Sequence, residues 1–186
     1  MNRDLRNRAD SGKRPTRTTD RLIIGIDPGL GTTGYGVLEV KNDSAIVLEA
    51  GVIRSHRENP LELRLAEIYD GLREVFREYK PAVVVIEDLY SHYRHPKTAI
   101  IMGHARGAVL LSAASLNIPV RSYGATQVKK ALTGNGRASK VQMQKMTRLR
   151  LELKKTPEPP DVADALAVAL CHFNHLAAAN GGRARK

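Results

Sequence analysis

Four carboxylates stand where phosphoryl-transfer chemistry would need them. Asp27 closes the apolar run Ile23-Ile24-Gly25-Ile26 and opens the turn Asp27-Pro28-Gly29. Glu87 closes a second run, Val83-Val84-Val85-Ile86, while Asp161 and Asp164 stand three apart in Pro160-Asp161-Val162-Ala163-Asp164-Ala165-Leu166. In an α/β sheet, ligands bind beyond the carboxyl ends of the strands. Two strand ends and one helix start could therefore gather all four acids around one point. Such a cluster repels itself unless hard cations sit within it. Carboxylate oxygens are the donors Mg2+ prefers, and paired ions suit in-line displacement at phosphorus.

Each acid also has a plain structural role open to it. Asp27-Pro28-Gly29 is an ordinary turn signal. Asp161 could cap the last helix, with Asp164 at its third position, favourable toward the helix dipole. Residues three apart share one helix face, so capping and metal binding are compatible. Glu87 has no obvious cap or turn to serve, and Asp88 beside it could equally face solvent. The joint occurrence of four acids beside one expected crevice is what favours chemistry.

The remainder of the chain points to the kind of phosphate. Its 186 residues carry a formal charge of +11 and a pI near 10.0, so the acids lie within a strongly basic protein. An excess of this size marks a nucleic-acid partner or an anionic membrane surface. No apolar stretch is expected to reach the length of a spanning helix, and the Arg-rich start lacks the apolar core of a signal peptide. The expectation is a cytoplasmic protein that handles nucleic acid. A chain of this length fits one domain, here 21–177. Residues 1–20 and 178–186 read as a disordered basic extension and a flexible basic tail. The single Cys171 fits a reducing compartment and a small core position.

The elements that must position the acids are legible as periodicities. Leu22–Asp27, Gly34–Val40 and Ala45–Arg54 read as three strands in an antiparallel meander, with Asn42-Asp43-Ser44 as a polar turn. A helix follows, with Asn59 as cap, Pro60 at the first position and Glu62 completing a capping-box-like arrangement. Its apolar repeat, Leu61, Leu65, Ile68, Leu72 and Val75, ends at Lys80-Pro81. Ala82–Ile86 reads as a strand buried on both faces. Then come a small-residue-rich helix over Lys97–Ser115, a strand over Ile118–Ser122 and a helix over Thr126–Leu132. Ser139 and Gln142 form a capping box for the next helix, and the last runs from Asp161 to Leu176. The whole is an α/β fold: a mixed five-stranded sheet, its first three strands antiparallel, flanked by helices.

Five segments in this order resemble the RuvC Holliday-junction resolvase family. They are Gly25-Ile26-Asp27-Pro28-Gly29 with Thr33-Gly34-Tyr35-Gly36-Val37, Ile86-Glu87, Ala105-Arg106-Gly107, Gln127-Val128-Lys129-Lys130 and Asp161-Val162-Ala163-Asp164-Ala165-Leu166-Ala167. The resemblance covers about 21–176. It implies an RNase H-like fold, a homodimer and paired symmetric nicking of four-way DNA junctions in recombination and repair, leaving 5′-phosphate and 3′-hydroxyl ends. It also implies that Asp27, Glu87, Asp161 and Asp164 hold two Mg2+ ions per site, with Mn2+ as a substitute, and that a RuvA–RuvB branch-migration complex is a partner. The departures are the basic stretch 1–20 and Tyr90, where the family often has Phe.

DNA contacts are expected from the loops around the crevice. Tyr90, Tyr93, Arg94 and Lys97 belong to a loop that interleaves aromatic and basic groups, and Tyr90 falls where the family places a base-stacking aromatic. Lys129, Lys130, Arg137 and Lys140 flank the Gly-rich turn at 134–136 and match basic positions of the family, as phosphate contacts would. His172 and His175 read by default as solvated or partner-bonded surface groups. The small-residue helix could be plain core or a two-fold seam, with Ile100, Ile101, Gly107, Val109 and Leu110 as its contacts. Two other readings stay open. Ile24-Gly25-Ile26-Asp27 with Gly29, Gly31, Thr32 and Thr33 also resembles the phosphate loop of actin-like sugar kinases and ATPases, which need a second similar domain. The other is a junction-binding module without catalysis, in which the acids are only caps and turns.

Overall fold

The computed structural model describes residues 5–6, 22–41, 44–88 and 96–181. Strands β1 (Leu5–Arg6), β2 (Leu22–Asp27), β3 (Thr32–Lys41) and β4 (Ser44–Arg54) lead into helix α1 (Leu61–Tyr79) and strand β5 (Val83–Glu87). Helix α2 (Pro96–Ala114), strand β6 (Val120–Tyr123) and helices α3 (Ala125–Thr133), α4 (Lys140–Arg150) and α5 (Pro160–Gly181) complete the chain. The sheet order is β1-β4-β3-β2-β5-β6. β2, β3 and β4 form the expected antiparallel meander, and β5 and β6 then add in parallel. The five expected strands gain a sixth. Leu5 and Arg6, inside the extension expected to be disordered, pair antiparallel with Ala50 and Glu49 of β4.

Strand side chains alternate between faces, and this splits the core in two. Ile23, Val83 and Val85 face one cluster with Val128, Leu132, Met143, Val162 and Leu166 from α3, α4 and α5. Ile24, Ile26, Val84 and Ile86 face another, with Ile68, Leu72, Val75 and Phe76 of α1 and Ala105, Ala108 and Val109 of α2. The strand β4 also buries a carboxyl group. Glu49 is 2% exposed, and its two carboxylate oxygens accept from the hydroxyls of Tyr35 and Tyr79, each at 2.6 Å.

Several local expectations change. Asn59 does not cap α1: its amide donates to Glu67 Oε1 at 2.7 Å, and Pro60, with no side-chain acceptor to offer, precedes the first helical residue. Asp161 lies inside the first turn of α5 and is not its cap, because the helix already begins at Pro160. The box of Ser139 and Gln142 on α4 is present: Gln142 N donates to Ser139 Oγ and Ser139 N to Gln142 Oε1. Contrary to expectation, one stretch, Pro160–Ala179, is long and apolar enough to cross a membrane. Its apolarity has a local cause, since Val162, Ala163 and every residue from Ala165 to Cys171 are buried within the domain.

Candidate active site

Close packing of α5 on the sheet brings the acids together. Gly25 and Gly36 are directly opposite each other on β2 and β3, as are Asp27 and Gly34. A Cβ on Gly34 would overlap the carbonyl oxygen of Asp161, and one on Gly25 would overlap that of Ala165. Only glycine lets a helix backbone come this close to a strand. Asp27 shares the face of Gly25 by strand alternation, so it points toward the start of α5. Glu87 shares the face of Val85, which pairs with Gly25 in parallel register. Two strand ends and the first turns of one helix thus meet on one side of the sheet.

The electrostatics follow from that crowding. Burial, then Asp164, Asp161 and Glu87, push the half-buried Asp27 carboxyl up to about 7, against a smaller opposing pull from Lys140. Glu87 retains solvent access, yet enclosure and the charges of Asp164 and Asp88 raise its pKa while Lys129 lowers it. Lys140 Nζ stands 3.0 Å from Asp164 Oδ2, and this contact raises the lysine pKa. Glu87, Asp164, Lys129 and Lys140 line a cleft of about 250 Å³ with Ala125, Val128, Met143 and Ala167. Among the described residues, no group of three or more His, Cys, Asp or Glu side chains is drawn together tightly enough to hold an ion. The four acids face one another electrostatically, and a lysine already meets one of them.

The other expected positions divide. Lys129 and Lys140 reach the cleft; Lys130 and Arg137 are exposed and outside its lining. Lys97 is exposed at the start of α2, whereas Tyr90, Tyr93 and Arg94 lie outside the described residues. Ile100, Ile101 and Leu110 are 60%, 40% and 39% exposed, and a Cβ on Gly107 would meet open space. Val109 is a correction. It is wholly buried against α1, so it has no surface to give a partner. Leu111, 61% exposed, takes its place on the open face. His172 is corrected too: it is buried, and its Nδ1 is 2.7 Å from the Tyr123 hydroxyl. One polar contact to the end of β5 is not legible in the sequence. Arg106 donates to the Glu87 carbonyl and to Asp88, and nothing but the motif around it drew notice.

Comparison with known proteins decides the family. The model of the family "Crossover junction endodeoxyribonuclease RuvC" matches residues 23–172. The chain belongs to the RuvC family. A crossover junction endodeoxyribonuclease RuvC of Rhodopirellula baltica is 52% identical over 149 residues, covering 80% of this chain and 84% of that protein. RuvC of Thermus thermophilus in complex with Holliday junction substrate superposes with a TM-score of 0.80 at 37% identity, covering 86% of this chain and 96% of the other. The yeast mitochondrial Holliday junction resolvase, at 18% identity and a TM-score of 0.60, shares the fold and covers 88% of this chain and 81% of its own. Residues of the RuvC match include all four acids and both cleft lysines.

Proposed function

We propose that this RuvC-family chain is an endonuclease that resolves four-way DNA junctions by paired symmetric nicks, with Asp27, Glu87, Asp161 and Asp164 as its acidic site. The observation that carries the reading is the crowding of Asp27. Its proton is held to about pH 7 by burial and by three neighbouring acids, a state that a cation among them would relieve. All four groups offer the hard oxygen donors that a divalent ion of the Mg2+ or Mn2+ type takes, and such an ion would draw them closer than they now stand. When bound, two such ions supply an activated water and stabilise the leaving oxygen. This chain's own residues do the rest. Asp27 must shed its proton before it can ligate. Lys140 compensates Asp164 until then, and Lys129 and Lys140 meet phosphate at the mouth of the cleft. Tyr90, Tyr93, Arg94, Lys97, Lys130 and Arg137 extend the contact to the junction arms.

A second reading, a junction binder without catalysis, is separated by one assay. Labelled four-way junction is incubated with the protein in Mg2+ and in chelator, and the nicks are mapped on all four strands. Symmetric nicks that require Mg2+ support the proposal; tight binding with no nick under any divalent ion sinks it.

Paired nicks need two sites, and α2 offers a seam. Its buried residues Ala105, Ala108, Val109, Ser112 and Ala113 face the sheet and α1, which leaves Ile100, Ile101, Gly107, Leu110 and Leu111 on the open side. An isologous pairing of this helix with its copy supplies two sites related by a two-fold axis. Because Gly107 opens to free space, Gly107→Glu should fold and sediment as a monomer where the unmodified chain sediments as a dimer. A dimeric Gly107→Glu protein would move the seam elsewhere. A cytoplasmic place of action and a RuvA–RuvB partner follow from the same family reading.

A further inference from the structure

Arg106 has no part in the mechanism above, yet it makes three side-chain hydrogen bonds at the edge of the crevice. Its Nη1 donates to the backbone carbonyl of Glu87 at 2.7 Å. Its Nη2 donates to Asp88 Oδ1 at 3.2 Å and to Ser122 Oγ at 2.8 Å. The guanidinium side chain is 15% exposed, whereas its Asp88 partner is 51% exposed. One side chain from α2 therefore binds the end of β5 twice and the end of β6 once.

We propose that Arg106 is a positioning residue for junction cleavage, which fixes the backbone where β5 ends and holds Asp88 away from the crevice, so that Glu87 alone faces it. The proposal rests on the reading of Glu87 as a site acid. A strand end is the least constrained point of a ladder. Here the β5–β6 ladder closes at Glu87 opposite Tyr123, with one further bond from Asp88 N to Tyr123 O at 2.9 Å. Successive side chains on a strand point to opposite faces, so a twist at this point would bring Asp88 toward the crevice and swing Glu87 out. The fork of Arg106 opposes that twist by holding a carbonyl, a carboxylate and a hydroxyl at once. Lysine, a point charge, cannot match such planar multiple donation.

The test uses the full chain. In Arg106→Ala, single-turnover nicking at saturating junction should fall roughly 10- to 100-fold, the scale of a small misplacement of a reacting group. Junction affinity should stay within about threefold, the scale of one hydrogen bond. The Mg2+ concentration for half-maximal nicking should rise. In the metal-free protein, the Asp88 amide should exchange its hydrogen faster than in the unmodified chain, while β2 amides keep their rates. Arg106→Lys should recover part of the nicking rate, and Arg106→Ala with Asp88→Asn should nick faster than Arg106→Ala alone. Should Arg106→Ala fail to fold, Arg106→Lys and Ser122→Ala carry the same readouts with smaller expected losses. Unchanged nicking and unchanged Asp88 exchange overturn the proposal, as does a loss of nicking that only tracks a loss of junction binding. Glu87→Gln run alongside separates the two failures. If Glu87→Gln nicks normally, the reading of Glu87 falls and the proposal with it; if Glu87→Gln is dead while Arg106→Ala is normal, only the proposal falls.

Discussion

Two carboxylates lie against this sheet in opposite circumstances. Glu49 is fully enclosed on β4, and tyrosine hydroxyls from β3 and α1 donate to both of its oxygens. Asp27, at the end of β2, is half-buried and surrounded by Asp161, Asp164 and Glu87. Hydroxyls that donate to both oxygens of an enclosed carboxyl group satisfy it where it stands, so Glu49 serves architecture. Acids packed against an acid destabilise one another unless a cation joins them, and natural proteins keep such arrangements where chemistry needs them. The same residue class thus carries two meanings, and the neighbours decide which.

The largest effect that separates them concerns cleavage. Asp27→Asn should lower the single-turnover nicking rate by on the order of 10²–10³-fold or more, the scale of losing one group that stabilises developing charge. Its junction binding, which rests on basic residues and phosphates, should be nearly unchanged. Glu49→Gln should nick at the normal rate per folded molecule. Equal rates for Asp27→Asn and the unmodified chain would erase the distinction.

Stability should move the other way. The folded Asp27 holds its proton to about 7, above the ordinary 3.8. Its penalty on the metal-free protein is therefore full above about pH 7, fades as pH falls toward 3.8 and is absent below. Asp27→Asn should raise the melting temperature at pH 8, with roughly 4 kcal/mol as a ceiling for the release, and should gain little at pH 4. Glu49→Ala should instead lose stability at both pH values, by about 1–3 kcal/mol for the loss of a buried hydrogen-bonded group. Melts of the two variants at pH 4 and pH 8 check both signs.

The smallest effect tests the cations around the cleft. Lys129→Ala and Lys140→Ala should each flatten the salt dependence of junction binding by about one phosphate contact. Lys140 also lowers the Asp27 pKa, so Lys140→Ala should move the rise of nicking with pH, at limiting Mg2+, to higher pH. An unmoved pH profile would mean that Lys140 touches DNA and nothing else.

Much of this was legible in the sequence because it rests on local pattern. Apolar runs ending in Asp27 and Glu87, the Ser139–Gln142 cap and the break at Lys80-Pro81 are each written within a few residues, and all appear in the fold. What escaped depends on contacts distant in sequence. Nothing beside Glu49 in the sequence shows that Tyr79, thirty positions on, donates to it. His172 looks like a surface group until Tyr123 meets it, and Asn59 looks like a cap until Glu67 takes its amide. Arg106 gives no hint that it crosses to the end of β5. Leu5 and Arg6 lack any apolar run, and only the open edge of β4 makes them a strand. Periodicity alone does not say which face of α2 is closed, and Val109 turns out to lie on that closed face.

On the function proposed, the crowded acids exist to hold divalent ions. Mn2+ binding to the free protein at pH 8, followed by loss of the free-ion electron paramagnetic resonance signal, tests it most directly. The unmodified chain and Glu49→Gln should bind Mn2+ alike, and Asp27→Asn should lose at least one ion or bind it far more weakly. Equal Mn2+ binding by Asp27→Asn and the unmodified chain would contradict the account.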